Sequence, residues 1–227
     1  LTLQMDTRSS MADNLVPLLT EAYGNIGSDP ALDGFAGQAD LETVVRLLTV
    51  DWDRRMDREA PGALAFNAFL QYVSQAVLGD DIPLAYDFAL SLQAIYVFKI
   101  VDLALRGAYP LSDNVLQEGR DALLLGAAVT TAAWLTTHYG TVDPDAFAYQ
   151  DLKVTRFDDA FGYLMPVFSR PSDGGEDTIC VSQNLTFSDE YEPWVSSYVS
   201  VERMVGTFDE LGRPEAWVQY PLGPLAD

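Results

Sequence analysis

The sequence has few of the residues from which thiol and metal sites are built. Its 227 residues include one cysteine, Cys180, and one histidine, His138. An internal disulfide cannot form, and an ordinary zinc site of cysteine and histidine cannot be assembled. A catalytic thiol would need His138 beside Cys180, although a lone cysteine and a lone histidine are more often inert. We therefore expect no metal site and no cofactor site.

Positive charge is also scarce. The sequence has 13 lysines and arginines and 34 aspartates and glutamates, which gives a net charge of −21. This balance argues against binding to nucleic acid or to an anionic membrane surface, because few cations are present to neutralise phosphates. The longest apolar run, residues 122–135, is too short to span a bilayer and is interrupted by Gly126. We expect a soluble protein, and a hydrophobic content of 48% excludes a disordered chain.

Apolar residues recur at helical spacing in the first part of the chain. The pattern predicts a helix capped by Ser9 or Ser10 and stopped by Gly24, and a helix capped by Asp40 that runs to Val50. Residues 25–38 are rich in Gly, Asp and Pro and predict a loop. Pro61, which suits the first turn of a helix, predicts a helix that runs to Gly79.

Two further helices are predicted before residue 143. The first opens at Asp80–Pro83 and ends at Gly107, and the second is capped by Ser112 and ends at His138–Gly140. The predicted core-facing stripes are Phe88, Leu92, Ile95, Tyr96, Lys99 and Leu103 on the first, and Leu123, Leu124, Ala127, Ala128, Ala132 and Leu135 on the second. His138, in the last turn, is well placed against the helix dipole.

Helical periodicity disappears near Asp143-Pro144, where short alternating runs separated by Gly and Pro begin. The predicted strands are Leu152–Phe157, Leu164–Phe168, Thr178–Val181, Trp194–Met204 and Ala216–Tyr220. The fold class is therefore predicted as α+β, or part of a layered α/β sandwich, with a helical part over residues 1–142 and a strand-rich part over residues 143–227. We expect both parts to belong to one structural unit.

A dense charge cluster over residues 51–59 is the strongest candidate for chemistry. An EF-hand loop is excluded, because Met56 stands where glycine is required and Gly62 where a bidentate glutamate is required. Asp53 and Asp57 would share one face of a helix and form a catalytic carboxylate pair. The alternative, which we favour, is an ion-pair network in which nearby arginines offset the two carboxylates.

Gly174-Gly175 is the most specific local feature of the strand-rich part. Paired glycines permit positive φ angles and a close approach of backbone just before a strand. A phosphate-binding loop is not indicated, because no Lys-Ser/Thr pair and no helix follow. By itself the pair predicts a turn that enters a strand.

Four stretches together resemble the C-terminal part of the β subunit in the penicillin acylase family of N-terminal-nucleophile hydrolases. They match the family's Gln-x-Asp segment before a helix, its Trp-Asp segment and following helix, its Trp-Gly-x-x-His position, and its strand region near the end of the subunit. The stretches are Gln4–Ser9 with Ala12 and Leu15–Leu19; Leu48–Phe69, with Trp52-Asp53 and Gly62-Ala63-Leu64; Tyr149–Lys153; and Gly174-Gly175 with Thr178, followed by Arg203-Met204-Val205. They cover nearly the whole chain, and their order and spacing carry the resemblance.

The resemblance implies that the chain forms a portion of the αββα sandwich of these hydrolases, and that the protein is periplasmic or secreted. It also implies an acylase that hydrolyses amides such as β-lactams, N-acyl-homoserine lactones or acylated lipopeptides. Its partners would be the α subunit and the N-terminal part of the β subunit. The chain departs from the family at Tyr149-Gln150 and Lys153, which replace Trp-Gly and His, and at Tyr220–Gly223, about where Gly-Gln-Ser-Gly and Ser-Pro-His are expected.

The family nucleophile is an N-terminal Ser, Thr or Cys whose own α-amino group acts as base, with an oxyanion hole of backbone groups and an Asn. In the family, these groups lie upstream of the segment that Gln4 and the residues after it resemble. Leu1 has no hydroxyl or thiol, and Thr2 would become terminal only after removal of Leu1. We therefore expect no catalytic residue in this chain.

Three hypotheses follow in order of preference: a C-terminal acylase portion that supports the acyl pocket, a non-enzymatic acidic α+β binding module, and a complete enzyme that uses Asp53, Asp57 or Asp151. The first predicts a fragment or processed subunit with exposed apolar sheet edges at Leu164–Phe168 and Trp194–Val201.

Overall fold

The computed structural model describes residues 6–79, 86–108, 116, 119–157, 168–175, 177–180, 182–184, 194–199, 203–208 and 214–219. The predicted helix opening at Asp80–Pro83 falls outside these residues. Five helices precede six strands in the described part of the chain. The helix-then-strand order is therefore confirmed there.

The first two helices form close to where the sequence predicts them. Helix α1 spans Ser10–Gly24, and its cap Ser9 accepts a hydrogen bond from the Ala12 N–H at 2.9 Å. Helix α2 spans Ala39–Arg46 and continues into one π-helical turn at Leu47–Asp51. Asp40 is not its cap, because the helix begins one residue earlier, and Asp40 instead lies in the first turn. The predicted loop at residues 25–38 contains a short 3-10 helix, Pro30–Phe35, which Asp29 caps.

Helix α3, Pro61–Leu78, begins at the predicted proline and is capped at its C-terminal end by Gly79. Nearly all of its residues are buried, so it lies inside the helical part. The neighbouring helix α4 spans Tyr86–Leu105.

In the half of α4 whose side chains are described, the predicted apolar stripe is wrong at Tyr96 and Lys99, while Ile95 packs against the core. Tyr96 and the Lys99 side chain are 65% and 53% exposed. The buried apolar face consists of Val97, Phe98, Val101, Ala104 and Leu105. Asp102 is fully buried on this helix and bonds to Lys99 at 2.9 Å and to Arg106 at 2.7 and 2.8 Å. The side chains of Phe88 and Leu92 lie outside the description.

Helix α5, Arg120–Tyr139, is the central helix and packs on α1, α2 and α3. Its six predicted core residues are all buried. The predicted cap is wrong, because the cap is Gly119; Ser112 itself lies outside the described residues. The predicted end is confirmed by Gly140, whose φ of +75° closes the helix in a left-handed conformation.

The strands form two described sheets. Strands β1 (Lys153–Phe157), β2 (Phe168–Pro171), β3 (Ser182–Asn184) and β4 (Trp194–Val199) form a sheet of order β2-β1-β4-β3, in which β1 and β4 are parallel. Strands β5 (Arg203–Phe208) and β6 (Pro214–Gln219) form an antiparallel pair. Short helical turns at Pro144–Ala146 and Tyr149–Asp151 lead into β1.

Three strand predictions need correction. Residues 178–180 form a turn, with strand structure beginning at Ser182. The single strand predicted at Trp194–Met204 includes β4 and the start of β5, with residues 200–202 outside the description. Residues 194–199 are not a sheet edge, because β4 pairs on both sides. Of Leu164–Phe168 only Phe168 is described, in the edge strand β2.

None of the helices in the described ranges is both long enough and apolar enough to cross a membrane.

Candidate functional site

Parts of the four stretches singled out in the sequence meet at one place in the structure; Arg203-Met204-Val205, at the start of β5, is not among them. We call this place the polar junction and define it by residues 6–13, 52–58, 149–153, 172–175 and 177–180. It lies where the N-terminus of α1, the entry to α3, the entry to β1 and the loop after β2 come together. Sequence-distant segments are held there by backbone and carboxylate hydrogen bonds.

The N-terminal segment of the junction pairs with the charge cluster as a short β-bridge between Arg8 and Arg55. The Met56 N–H donates to the Thr7 carbonyl at 2.8 Å, and the Ser9 N–H donates to the Arg54 carbonyl at 2.9 Å. Arg54 has a φ of +68°, which is rare for a residue with a side chain. The bridge therefore holds the charge cluster in an irregular conformation and not in a helix.

That conformation overturns the carboxylate pair. Asp53 and Asp57 were expected on one helical face, but residues 52–60 are not helical. Asp53 caps the Arg55 N–H at 3.0 Å. Asp57 accepts a hydrogen bond from the Thr7 hydroxyl and lies 3.7 Å from Arg55. Both carboxylates are thus bound by neighbours within the junction.

The alternative, an ion-pair network, describes the charge cluster correctly. Arg8 and Arg54 both contact Asp13, at 2.8 and 3.1 Å. Partial burial raises the pKa of Asp13, but hydrogen bonds and charge from Arg8 and Arg54 outweigh it, so the pKa lies below its ordinary value. Arg55 pairs with Asp6 at 3.1 Å as well as with Asp57. Most of the partners lie outside the cluster itself, which the sequence reading did not anticipate.

The Trp-Asp motif has a structural explanation in Gly62. A Cβ atom at Gly62 would lie 2.3 Å from Cγ of Trp52, so only glycine lets the indole lie against the first turn of α3. The Trp52 Nε1–H donates to the Arg55 carbonyl at 2.8 Å, and the ring packs on Phe66 at 5.2 Å between centroids. Trp52 is therefore the packing element that fixes the charge cluster to α3.

Gly174 closes the junction from the strand side. Its φ is +90°, and a Cβ atom there would lie 1.8 Å from the Cys180 carbonyl oxygen. Its N–H donates to the Met56 carbonyl at 2.7 Å. Its carbonyl accepts from the buried Tyr149 hydroxyl at 3.2 Å, which in turn accepts from the Asn67 amide at 3.1 Å. The positive φ and close approach predicted for the glycine pair are confirmed at Gly174.

Asp177 is a junction residue that sequence reasoning missed. One oxygen of its carboxylate, Oδ2, accepts from the Ser9 hydroxyl at 2.8 Å, the Ser10 hydroxyl at 3.3 Å and the Met11 N–H at 2.5 Å. A carboxylate at a helix N-terminus is stabilised by the free N–H groups and by the helix dipole. No local signal reveals this cap, because it comes from 166 residues away.

The remaining candidate residues have ordinary structural contacts. Asp151 accepts the Ala148 N–H at 2.7 Å, and Lys153 is fully buried at the start of β1. His138 lies 4.7 Å from Trp134 between ring centroids, in a mainly apolar groove of about 780 Å³ between α3 and α5. Cys180 is buried in the junction, where its N–H donates to the Asp6 carbonyl at 2.9 Å. These contacts do not join His138 to Cys180.

The described residues contain no group of three or more His, Cys, Asp or Glu side chains arranged to hold a metal ion.

The model of the penicillin amidase family matches residues 1–226 of this chain. The match covers nearly the whole sequence, so the chain belongs to the penicillin amidase family. The family consists of acylases that are processed into several chains and hydrolyse amide bonds, and it has the N-terminal-nucleophile hydrolase fold. No curated protein matches the chain.

Proposed function

We propose that this chain is the C-terminal portion of an acylase β subunit and that it supports the amide-hydrolysing site without supplying the nucleophile. The observation that carries this proposal is the meeting of parts of the four motif stretches at the polar junction. Their residues hold helices to strands there, through contacts such as Gly174 with Met56 and Asp177 with Met11. Residues that join helices to strands in this way stabilise the fold around a site and need not take part in its chemistry.

The hydroxyl groups of the junction support the same reading. The Thr7 hydroxyl donates to Asp57, the Ser9 hydroxyl to Asp177, and the Thr178 hydroxyl to the Cys180 carbonyl. The Asp57 carboxylate accepts the Thr7 hydroxyl and also contacts Arg55, so structural partners already bind it. These hydroxyls therefore act as donors that stabilise the fold, and none is set up as a nucleophile.

The proposal includes the partners and the substrate class. We expect the α subunit and the N-terminal part of the β subunit to complete the αββα sandwich, with residues 1–142 and 143–227 as parts of one structural unit. The interlocking of α1, α3 and β1 at the junction is consistent with a single unit. The substrate is an N-acylated small molecule, such as a β-lactam, an N-acyl-homoserine lactone or a lipopeptide, hydrolysed without a cofactor in the periplasm or outside the cell.

The direct test expresses the complete reading frame that encodes this chain and, in parallel, residues 1–227 alone. Mass spectrometry identifies the chains in each preparation, and both are assayed on penicillin G and on N-acyl-homoserine lactones of several lengths. We expect hydrolysis only in the preparation made from the complete reading frame. Hydrolysis by residues 1–227 alone would contradict the proposal, and inactivity of both preparations on all amides would favour the binding-module alternative.

A substitution separates the scaffold role of Asp57 from a catalytic role. Asp57→Asn in the complete enzyme should lower stability while leaving kcat within about twofold of the parent. A general base at this position would instead cost about 10²–10⁴ in kcat. Asp53→Asn is the matched control, since the Asp53 carboxylate accepts the Arg55 backbone N–H, which an amide oxygen can also accept. A large loss of kcat in folded Asp57→Asn alone would assign chemistry to Asp57.

A further inference from the structure

The loop after β2 is attached to the molecule differently from the helices. We call residues 172–175 and 177–180 the strap. None of them belongs to the apolar core cluster of the described residues. Its one large aliphatic side chain among the described residues, Ile179, is 53% exposed. The strap therefore gains little from apolar burial.

Polar contacts hold the strap at points along its length. Asp173 accepts the Arg58 N–H at 2.8 Å, and the Gly174 N–H donates to the Met56 carbonyl at 2.7 Å. Asp177 caps α1 through Ser9, Ser10 and Met11, and the Cys180 N–H donates to the Asp6 carbonyl. Each such bond contributes little net stability, because water replaces it when the strap leaves.

We propose that the strap is a conformational device that opens as a unit while the helices stay folded, and that Asp177 on the N-terminus of α1 is its latch. Segments with few buried apolar contacts and partly exposed hydrogen bonds open at free energies below that of global unfolding. Asp177 is the latch because one oxygen receives three donors from α1. Losing that oxygen removes three contacts between the strap and the helix N-terminus at once.

Opening has a defined consequence for the junction. It breaks the bond from Cys180 to Asp6 and releases one side of the segment formed by residues 6–9, whose other side stays paired with Arg54 and Met56. It also exposes Cys180, which is 93% buried when the strap is closed and is the only thiol in the chain. The thiol therefore reports the open state, whether or not this chain supports an acylase.

The test is the rate at which a maleimide labels Cys180 at rising urea concentrations, with the modified peptide identified by mass spectrometry. The protein is used with whatever chains co-purify. Global unfolding is followed in the same samples by far-ultraviolet circular dichroism. We expect labelling below the unfolding transition, with a urea dependence less than about half that of global unfolding, because opening exposes less surface. Asp177→Ala, which removes the Oδ2 acceptor, should raise the labelling rate about tenfold. It should lower the free energy of global unfolding by the equivalent amount, because the open and the unfolded states both lack this cap.

Asp151→Ala is the matched control, because Asp151 caps Ala148 outside the strap, in a contact that remains when the strap opens, and should leave the labelling rate unchanged. Labelling with the full urea dependence of global unfolding would overturn the proposal, as would an unchanged labelling rate in folded Asp177→Ala. If Asp177→Ala does not fold, Ser10→Ala removes one of the three donors and should give a smaller increase. The urea dependence of the parent protein decides the question in either case.

Discussion

Replacing Gly174 by alanine should be among the most damaging single changes in this chain. The backbone at Gly174 has a φ of +90°, and residues with a side chain pay roughly 1–3 kcal/mol for such conformations. The added Cβ would also lie 1.8 Å from the Cys180 carbonyl oxygen. That carbonyl cannot move freely, because it accepts the Thr178 hydroxyl at 2.7 Å, a bond of about 1 kcal/mol. Overpacking adds roughly 1–3 kcal/mol.

The expected loss in the free energy of unfolding is therefore about 3–5 kcal/mol, measured by urea denaturation with circular dichroism. Gly126→Ala is the matched control. Gly126 lies inside α5, where a Cβ meets nothing within 4 Å, so alanine should stabilise by about 0.5–1 kcal/mol. If Gly174→Ala unfolds within about 0.5 kcal/mol of the parent, the described path of the strap over the junction is wrong.

Two further predictions concern the same junction. Gly62→Ala should destabilise by about 2–3 kcal/mol and change the tryptophan fluorescence, because the new Cβ displaces Trp52; Gly34→Ala, where a Cβ has open space, should do neither. The pKa of Asp13 is lowered in the folded state, so its stabilisation is present above an unfolded pKa of about 3.9 and is lost as the pH falls through the folded value. Asp13→Asn should therefore flatten the acid limb of a plot of unfolding free energy against pH, and an unchanged acid limb would count against its ion pairs with Arg8 and Arg54.

The sequence predicted the elements whose signals are local. Pro61 fixes the start of α3 and Gly140 the end of α5, since proline suits the first helical turn and glycine takes the left-handed cap. The buried residues of α5 were also predictable, because apolar residues between Leu123 and Leu135 recur at helical spacing. The stripe on α4 was partly misplaced. Charged residues usually indicate the exposed face of a helix, but Asp102 is buried and pairs with Lys99 and Arg106.

The junction could not be predicted from local signals. Asp53 and Asp57 have the spacing of helical neighbours, but pairing of Arg8 with Arg55 imposes another backbone path. Asp177 caps a helix from 166 residues away. Such contacts depend on tertiary structure, which intrinsic propensities do not encode. The resemblance to the family identified these stretches as a set. The structure gives the physical reason for Trp52, Gly62 and Gly174 within them, which is close packing at the polar junction.

We propose a supporting role for this chain in an acylase, and labelling of the nucleophile tests that role most directly. The complete enzyme is treated with a sulfonyl fluoride or phosphonate that reacts with activated hydroxyls, and the modified residue is located by peptide mass spectrometry. We predict that loss of amide hydrolysis accompanies modification of an N-terminal residue that lies outside residues 1–227, with residues 1–227 unmodified. Stoichiometric modification of Thr7, Ser9 or any other hydroxyl of this chain, in step with the loss of activity, would contradict it.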